Sequence, residues 1–302
     1  MRTKRKHHRR SWMYLLTCFV AFHVGGYALA DEAYTQRKNI VYAETHGIGL
    51  VMDIFVPTGD KNGLAVIDVV SGSWSSSRGK LRDHERAQLF KKFCQHGYTI
   101  FAIRPGSVSK FSGLEMRDHL HLGMRWVKEH AADYQVDPDR YAMVGASAGG
   151  HLACLATVSA PKEIRPSAVS VFFPPTDLLA FAGDDLDLKG NGPLAKAIAA
   201  IGFNGRMEGV SAEEVRERLT QLSPARLVDG SEPPFLLIHG DADKVVPLKQ
   251  SELMVKSLTD KGVDAKLIVK KNGGHPWFTI AQEVEVMADW LDERLRSEPE
   301  EK

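Results

Sequence analysis

Residues 141–151 read Tyr-Ala-Met-Val-Gly-Ala-Ser-Ala-Gly-Gly-His, and no other stretch restricts the fold as much. A short apolar run meets Gly-x-Ser-x-Gly and passes at once into the Ala/Leu-rich run Leu152-Ala153-Cys154-Leu155-Ala156. The pattern predicts a strand, a sharp turn and a helix, with Ser147 at the corner. Backbone at such a corner is strained, and bulky neighbours would clash. Gly145 and Gly149, with Ala146 and Ala148 between them, let strand and helix approach. The Ser147 hydroxyl then stands clear of the sheet above a helix N-terminus, whose free N–H groups favour negative charge. A hydroxyl so placed is a candidate nucleophile if the chain also supplies a base, an acid and an oxyanion site.

The rest of the chain suits such a corner. Asn39–Ala43 and Leu50–Val56 read as two strands around a turn at Thr45-His46-Gly47. The largely apolar run Leu64–Val70 reads as a buried strand, and Tyr98–Ile103, Ala168–Phe173, Phe235–His239 and Ala265–Lys270 read as further strands. Helical spacing fills the intervals at Lys80–His96, Leu114–His130, Lys249–Lys261 and Trp277–Arg296. A hairpin followed by repeated strand–helix units predicts an α/β fold with a mostly parallel central sheet flanked by helices. Residues 176–230 interrupt the rhythm. The acidic run Asp184–Asp187 and the breakers at Gly190–Pro193 precede helical stretches at Leu194–Ile201 and Ala212–Leu222. This segment reads as a small lid-like insertion over the carboxyl ends of the strands, where ligands usually bind in open α/β sheets.

Charge is uneven along the 302 residues. Six of the 39 Lys+Arg lie within residues 1–10, leaving 33 against 38 Asp+Glu in the remainder. A mildly acidic body argues against nucleic acid as a partner. The basic start, the apolar stretch Trp12–Val24 and the small-x-small triplet Ala28-Leu29-Ala30 form the pattern of a secretory signal peptide. Residues 1–30 are therefore expected to be removed, and the protein exported to the periplasm or medium. The apolar run is short for a membrane span, so membrane attachment is expected only if that signal stays uncleaved. Residues 31–296 then form the folded domain, and 297–302 a disordered tail. Cys94 and Cys154 remain, both in apolar helical patterns that suit buried free thiols, although export would also permit a disulfide.

Serine hydrolysis needs a base for the hydroxyl proton, an acid to orient that base and donors for the oxyanion. Behind a Gly-x-Ser-x-Gly elbow the triad partners follow in the chain order Ser, Asp or Glu, then His, each on a loop after a strand. Phe235–His239 runs into Gly240-Asp241-Ala242-Asp243. Asp243 is the candidate acid, while Asp241, nearer the strand end, better suits shaping the turn. His275 lies on Asn272-Gly273-Gly274-His275-Pro276, after the strand Ala265–Lys270, with Pro276 suited to the first position of the next helix. Its 32-residue separation from Asp243 holds one helix and one strand. Oxyanion donors are expected from the Ala148 N–H and from the loop after Leu64–Val70, which reads Ser71-Gly72-Ser73-Trp74.

These residues resemble the esterase/lipase group of the α/β-hydrolase superfamily, in particular BD-FAE-type carboxylesterases. The likeness spans about residues 40–296. It is carried by Asp137-Pro138-Asp139-Arg140, Gly145–Ala153, the Ser223-Pro224 pair, His239–Pro247 and Gly274-His275. It implies an exported serine esterase with Ser147, Asp243 and His275 as its catalytic triad, no cofactor and no metal. The implied substrates are small-molecule or polysaccharide-linked esters. One departure stands out. The group usually carries His-Gly-Gly-Gly-Trp where this chain has Val70-Ser71-Gly72-Ser73-Trp74; anchored on Trp74, the donors become Gly72 and Ser73. Two other readings share these features: a prolyl-oligopeptidase-like serine peptidase, and an inactive hydrolase-fold binding module. Neither the calcium-like Asp185–Gly190 stretch, where Lys189 occupies a ligand position, nor the i, i+2 pair His119/His121 forms a metal site.

Overall fold

The computed structural model describes residues 33–182 and 192–296. The expected signal peptide, the tail 297–302 and the acidic run Asp184–Asp187 lie outside them. In chain order the strands are β1 (Tyr34–Thr45), β2 (Ile48–Pro57), β3 (Ala65–Val69), β4 (Thr99–Ile103), β5 (Tyr141–Ala146), β6 (Ala168–Phe172), β7 (Phe235–Gly240) and β8 (Ala265–Lys270). They form one sheet ordered β1-β2-β4-β3-β5-β6-β7-β8. β1 and β2 are an antiparallel hairpin, and β2 runs antiparallel to β4. Every later pair is parallel. β3, β5 and β7 are buried on both faces because helices cover both sides, and apart from Asp68 and His239 they are built of apolar and glycine residues.

The helices are α1 (Arg78–Arg86), α2 (Leu89–Gln95), α3 (Gly113–Glu129), α4 (Ala131–Tyr134), α5 (Ala148–Val158), α6 (Leu178–Ala182), α7 (Pro193–Phe203), α8 (Ala212–Gln221), α9 (Pro224–Leu227), α10 (Lys249–Asp260) and α11 (Ile280–Leu295). Ile67, Met143, Val171 and Leu237 pack one sheet face against Met116 and Leu120 of α3, Leu152 of α5 and Met254 of α10. Val66, Val144, Leu236 and Ile238 pack the other against Phe90 and Phe93 of α2 and Met287 and Leu291 of α11. Cys94 belongs to the second layer and Cys154 to the first. A sheet separates them, and both are free thiols.

Two local expectations differ from the structure. The helix expected over 80–96 is broken into α1 and α2 by Gln88, at φ 61°. At 100° per residue, Leu81 and Phe90 would face opposite sides of one straight helix; the break brings both onto the sheet. The final helix starts at Ile280, so Pro276 belongs to the preceding loop and not to a first helical turn. In the 176–230 segment, Ile198, Ile201, Val215, Leu219 and Leu222 bury themselves with Leu155 of α5. Trp74 and Leu114 pack against the same cluster. This apolar face turns to the body of the fold, and no described residue of the segment lines the pocket over Ser147.

Candidate active site

Ser147 sits between β5 and α5 at φ 53°, ψ −123°. Its N–H donates to Phe172 O (2.9 Å), and its carbonyl accepts from the His151 N–H (2.8 Å). A Cβ on Gly145 would lie 2.7 Å from the Gly149 carbonyl, and one on Gly149 would strike the carbonyl oxygen of Val69. The corner therefore closes only with glycine at both positions.

Asp243 and His275 are carried to Ser147 by the loops after β7 and β8. The Ser147 hydroxyl lies 2.9 Å from His275 Nε2. His275 Nδ1 lies 2.6 Å from Asp243 Oδ2. A carboxylate accepts, so Nδ1 carries the proton and Nε2 faces Ser147 as the acceptor. The Asp243 side chain is fully buried. Its other oxygen accepts the N–H groups of Val245 (2.8 Å) and Val246 (2.9 Å). Asp241 is exposed and instead receives the Asn272 N–H, which ties the two loops together. The Phe173 ring packs 4.3 Å from the His275 ring, centroid to centroid.

His239, which the sequence does not single out, supports this loop from beneath. It is fully buried. Nε2–H donates to Val246 O (2.9 Å), and Nδ1 accepts from Ser251 Oγ (2.7 Å). Burial lowers its pKa, against the raising effects of the Val246 carbonyl and Asp243. A neutral ring therefore lies 3.4 Å from the Asp243 carboxylate.

The oxyanion loop is a tight turn. Ser73 (φ 48°) and Trp74 (φ 52°) are both left-handed. Gly72 and Ser75 exchange two backbone bonds of 3.0 Å across them, as in a type I′ turn. This corrects one expected donor: the Gly72 N–H is committed to Ser75 O. The N–H groups of Ser73 and Ala148 donate to no protein acceptor among the described residues. The Gly149 N–H donates to Ser71 O (3.2 Å), joining the turn to α5.

Trp74 fixes the turn through His151. The indole N–H donates to His151 Nδ1 (3.0 Å), and His151 Nε2–H donates to Leu222 O (2.7 Å). A carbonyl can only accept, so the second bond sets the tautomer that the first requires. Burial pushes the His151 pKa down to about 4, against the raising effect of the Leu222 bond.

The resulting pocket holds about 570 Å³. Phe173, Val245, Pro276 and Ile280 give it an apolar side, and Lys80, Asp83, His84 and Arg86 of α1 a charged one. Two features away from it bear on metal binding. His119 and His121 bond separate carbonyls, of Pro105 and Ala156. Among the described residues, His96, Glu285 and Asp289 present ligand atoms within 4.8 Å of one another. Glu285 already holds Lys92 (2.5 Å), and His96 holds both Glu285 and Asp292, so these groups form an ion-pair pin between α2 and α11.

Sheet order, strand–serine–helix corner and loop-borne Asp and His together define an α/β-hydrolase fold. The BD-FAE family profile matches residues 52–258, and the chain belongs to that family. It is 27% identical over 253 residues to esterase LipQ of Mycobacterium tuberculosis, covering 75% of this chain and 54% of that protein. It is 26% identical over 257 residues to the probable isoprenylcysteine alpha-carbonyl methylesterase ICMEL1 of Arabidopsis thaliana, covering 79% and 50%. The chain thus spans about half the length of these relatives. Among solved structures, a truncated carbohydrate esterase from gut microbiota superposes with a TM-score of 0.72 at 22% identity. That match covers 89% of this chain and 99% of the other.

Proposed function

We propose that this protein hydrolyses carboxylic esters through an acyl-enzyme on Ser147. The observation that carries the proposal is the unbroken hydrogen-bond relay from Ser147 through His275 to Asp243. As Ser147 Oγ bonds to the ester carbonyl carbon, its proton passes to His275 Nε2 and the carbonyl electron pair moves onto oxygen. The N–H groups of Ser73 and Ala148 meet that oxyanion, each such donor being worth roughly 10²–10³ in rate. Collapse expels the alcohol, which takes the proton from His275. Water then repeats the sequence and releases the acid. Asp243 holds the Nδ1–H tautomer and offsets the charge on the imidazolium.

The charged and apolar sides of the pocket suit an ester whose two halves differ in polarity. The name of the gut-microbiota carbohydrate esterase, together with the leader-like residues 1–30, supports acyl groups on exported or environmental polysaccharides as substrates. N-terminal sequencing of the secreted product tests the leader, with Asp31 expected as the first residue. Aryl esters of graded acyl length and aminoacyl arylamides, assayed with the native chain and with Ser147→Ala, test the chemistry. Ester turnover that falls at least 10³-fold in the variant is expected. Turnover unaffected by the alanine change would sink the mechanism, and arylamide turnover above ester turnover would make the protein a peptidase.

A further inference from the structure

Asp68 lies on β3 and is fully buried. Both of its oxygens face one atom, His84 Nδ1, at 2.9 and 2.8 Å. The His84 side chain is 11% exposed, and that exposure opens on the Ser147 pocket. With Nδ1–H held by the carboxylate, Nε2 is left without a protein partner among the described residues. Lys80 and Arg86 stand on the same wall, and both pair with Asp83, at 3.2 and 3.0 Å. One carboxylate thus serves two cations, and the wall carries a surplus of positive charge. It also lies close to the chemistry. The Lys80 stem covers Gly72, where a Cβ would fall 2.6 Å from Cδ and 2.9 Å from Nζ. A pin between α1 and β3 would need only Nδ1 of His84; it would not need the ring to line the pocket with Nε2 unpartnered, nor Lys80 one turn away on the same wall.

We propose that His84, held by Asp68 and one helical turn from Lys80, binds a carboxylate carried by the ester substrate, with Arg86 on the same pocket lining. The inference rests on the reading of Ser147 as nucleophile. It restricts that reading to acidic esters, with the carboxylate on either the acyl or the alcohol half. Burial alone would lower the His84 pKa, but the charge and hydrogen bond of Asp68 outweigh it, and the net shift is upward. His84 therefore holds its second proton further into the neutral range, where Nε2–H is a charged donor.

Two substrate pairs test the proposal and distinguish the two halves. For the acyl half, para-nitrophenyl hemisuccinate is compared with para-nitrophenyl valerate; for the alcohol half, meta-acetoxybenzoate with phenyl acetate. The readout is the acid-to-neutral ratio of kcat/KM. A preference of about ten-fold or more for the acid is expected in one pair. It should collapse in the double variant Asp68→Asn/His84→Gln, which keeps a hydrogen-bonded neutral pair, and shrink in the surface variant Lys80→Gln. Preference for the neutral ester in both pairs overturns the proposal, as does a ratio unchanged in both variants. If no ester of either charge is turned over, the esterase reading fails and binding decides the subsite. Calorimetric titration of succinate and benzoate into Ser147→Ala should then give binding that is lost when the double variant is added. Absence of binding to Ser147→Ala overturns the subsite.

Discussion

Holding Ser147 at φ 53° costs about 1–3 kcal/mol, which the bonds to Phe172 and His151 and the packed corner sustain. Ser147→Gly should therefore melt higher than Ser147→Ala, by about 1 kcal/mol of stability, while both lose turnover. Asp243→Asn leaves an oxygen to accept the Val245 and Val246 N–H groups, so the fold should survive. The amide would favour the wrong His275 tautomer, and kcat should fall about 10³–10⁴-fold at little change in melting temperature. His151 never touches the pocket but holds the turn that offers the Ser73 N–H. His151→Ala should lower kcat about 10–10²-fold with KM nearly unchanged. His151→Gln, which can accept from Trp74 and donate to Leu222, should recover part of that loss; equal loss in both variants would contradict the positioning role.

At the level of elements, β3, β5 and β7 were legible because buried parallel strands leave near-continuous apolar runs, and α5 because glycines and alanines frame its start. Ser147, Asp243 and His275 were nameable because each lies on the loop after a strand, in the chain order that accompanies a Gly-x-Ser-x-Gly elbow. The oxyanion turn was not. Nothing in Ser71-Gly72-Ser73-Trp74 announces that Ser73 and Trp74 turn left-handed and that the Gly72 N–H is spent on Ser75. The break at Gln88 carries no glycine or proline either; only the angle between Leu81 and Phe90 hints at it. Long-range polar pairs leave the faintest trace. Asp53, fully buried on β2, holds Arg78 at the start of α1 (2.5 Å) and Arg104 after β4 (3.1 Å), joining elements far apart in sequence. Asp53→Ala removes the carboxylate shared by Arg78 and Arg104 and leaves them only the Asn39 oxygen, so chemical denaturation should show a loss of about 1–3 kcal/mol.

The molecule as a whole places histidines of opposite tendency in one fold. His151 and His239 are buried neutral with lowered pKa values, whereas free imidazole titrates near 6.5. Below about pH 6.5 the unfolded chain binds more protons at these two sites, so stability should fall as pH drops towards the His151 value of about 4. His96 behaves the other way. Burial lowers its pKa, but hydrogen bonds to Glu285 and Asp292 outweigh this and raise it. Its contribution is complete below the unfolded value and is lost as pH rises through the raised one. Melting temperature should therefore peak near neutrality. Glu285→Gln should flatten the alkaline limb and His151→Gln the acid limb; limbs unchanged by either substitution would assign the pH dependence to other groups. Through His151 the fold also limits its own modularity. One imidazole joins Trp74, α5 and the Leu222 carbonyl, so the 176–230 segment is not a detachable cassette. Exchanging it for a relative's segment that offers no carbonyl at that point would leave Nε2–H unpaired and free the ring to change tautomer. Such a chimera would keep its relay of Ser147, His275 and Asp243 intact and lose the turn beside it.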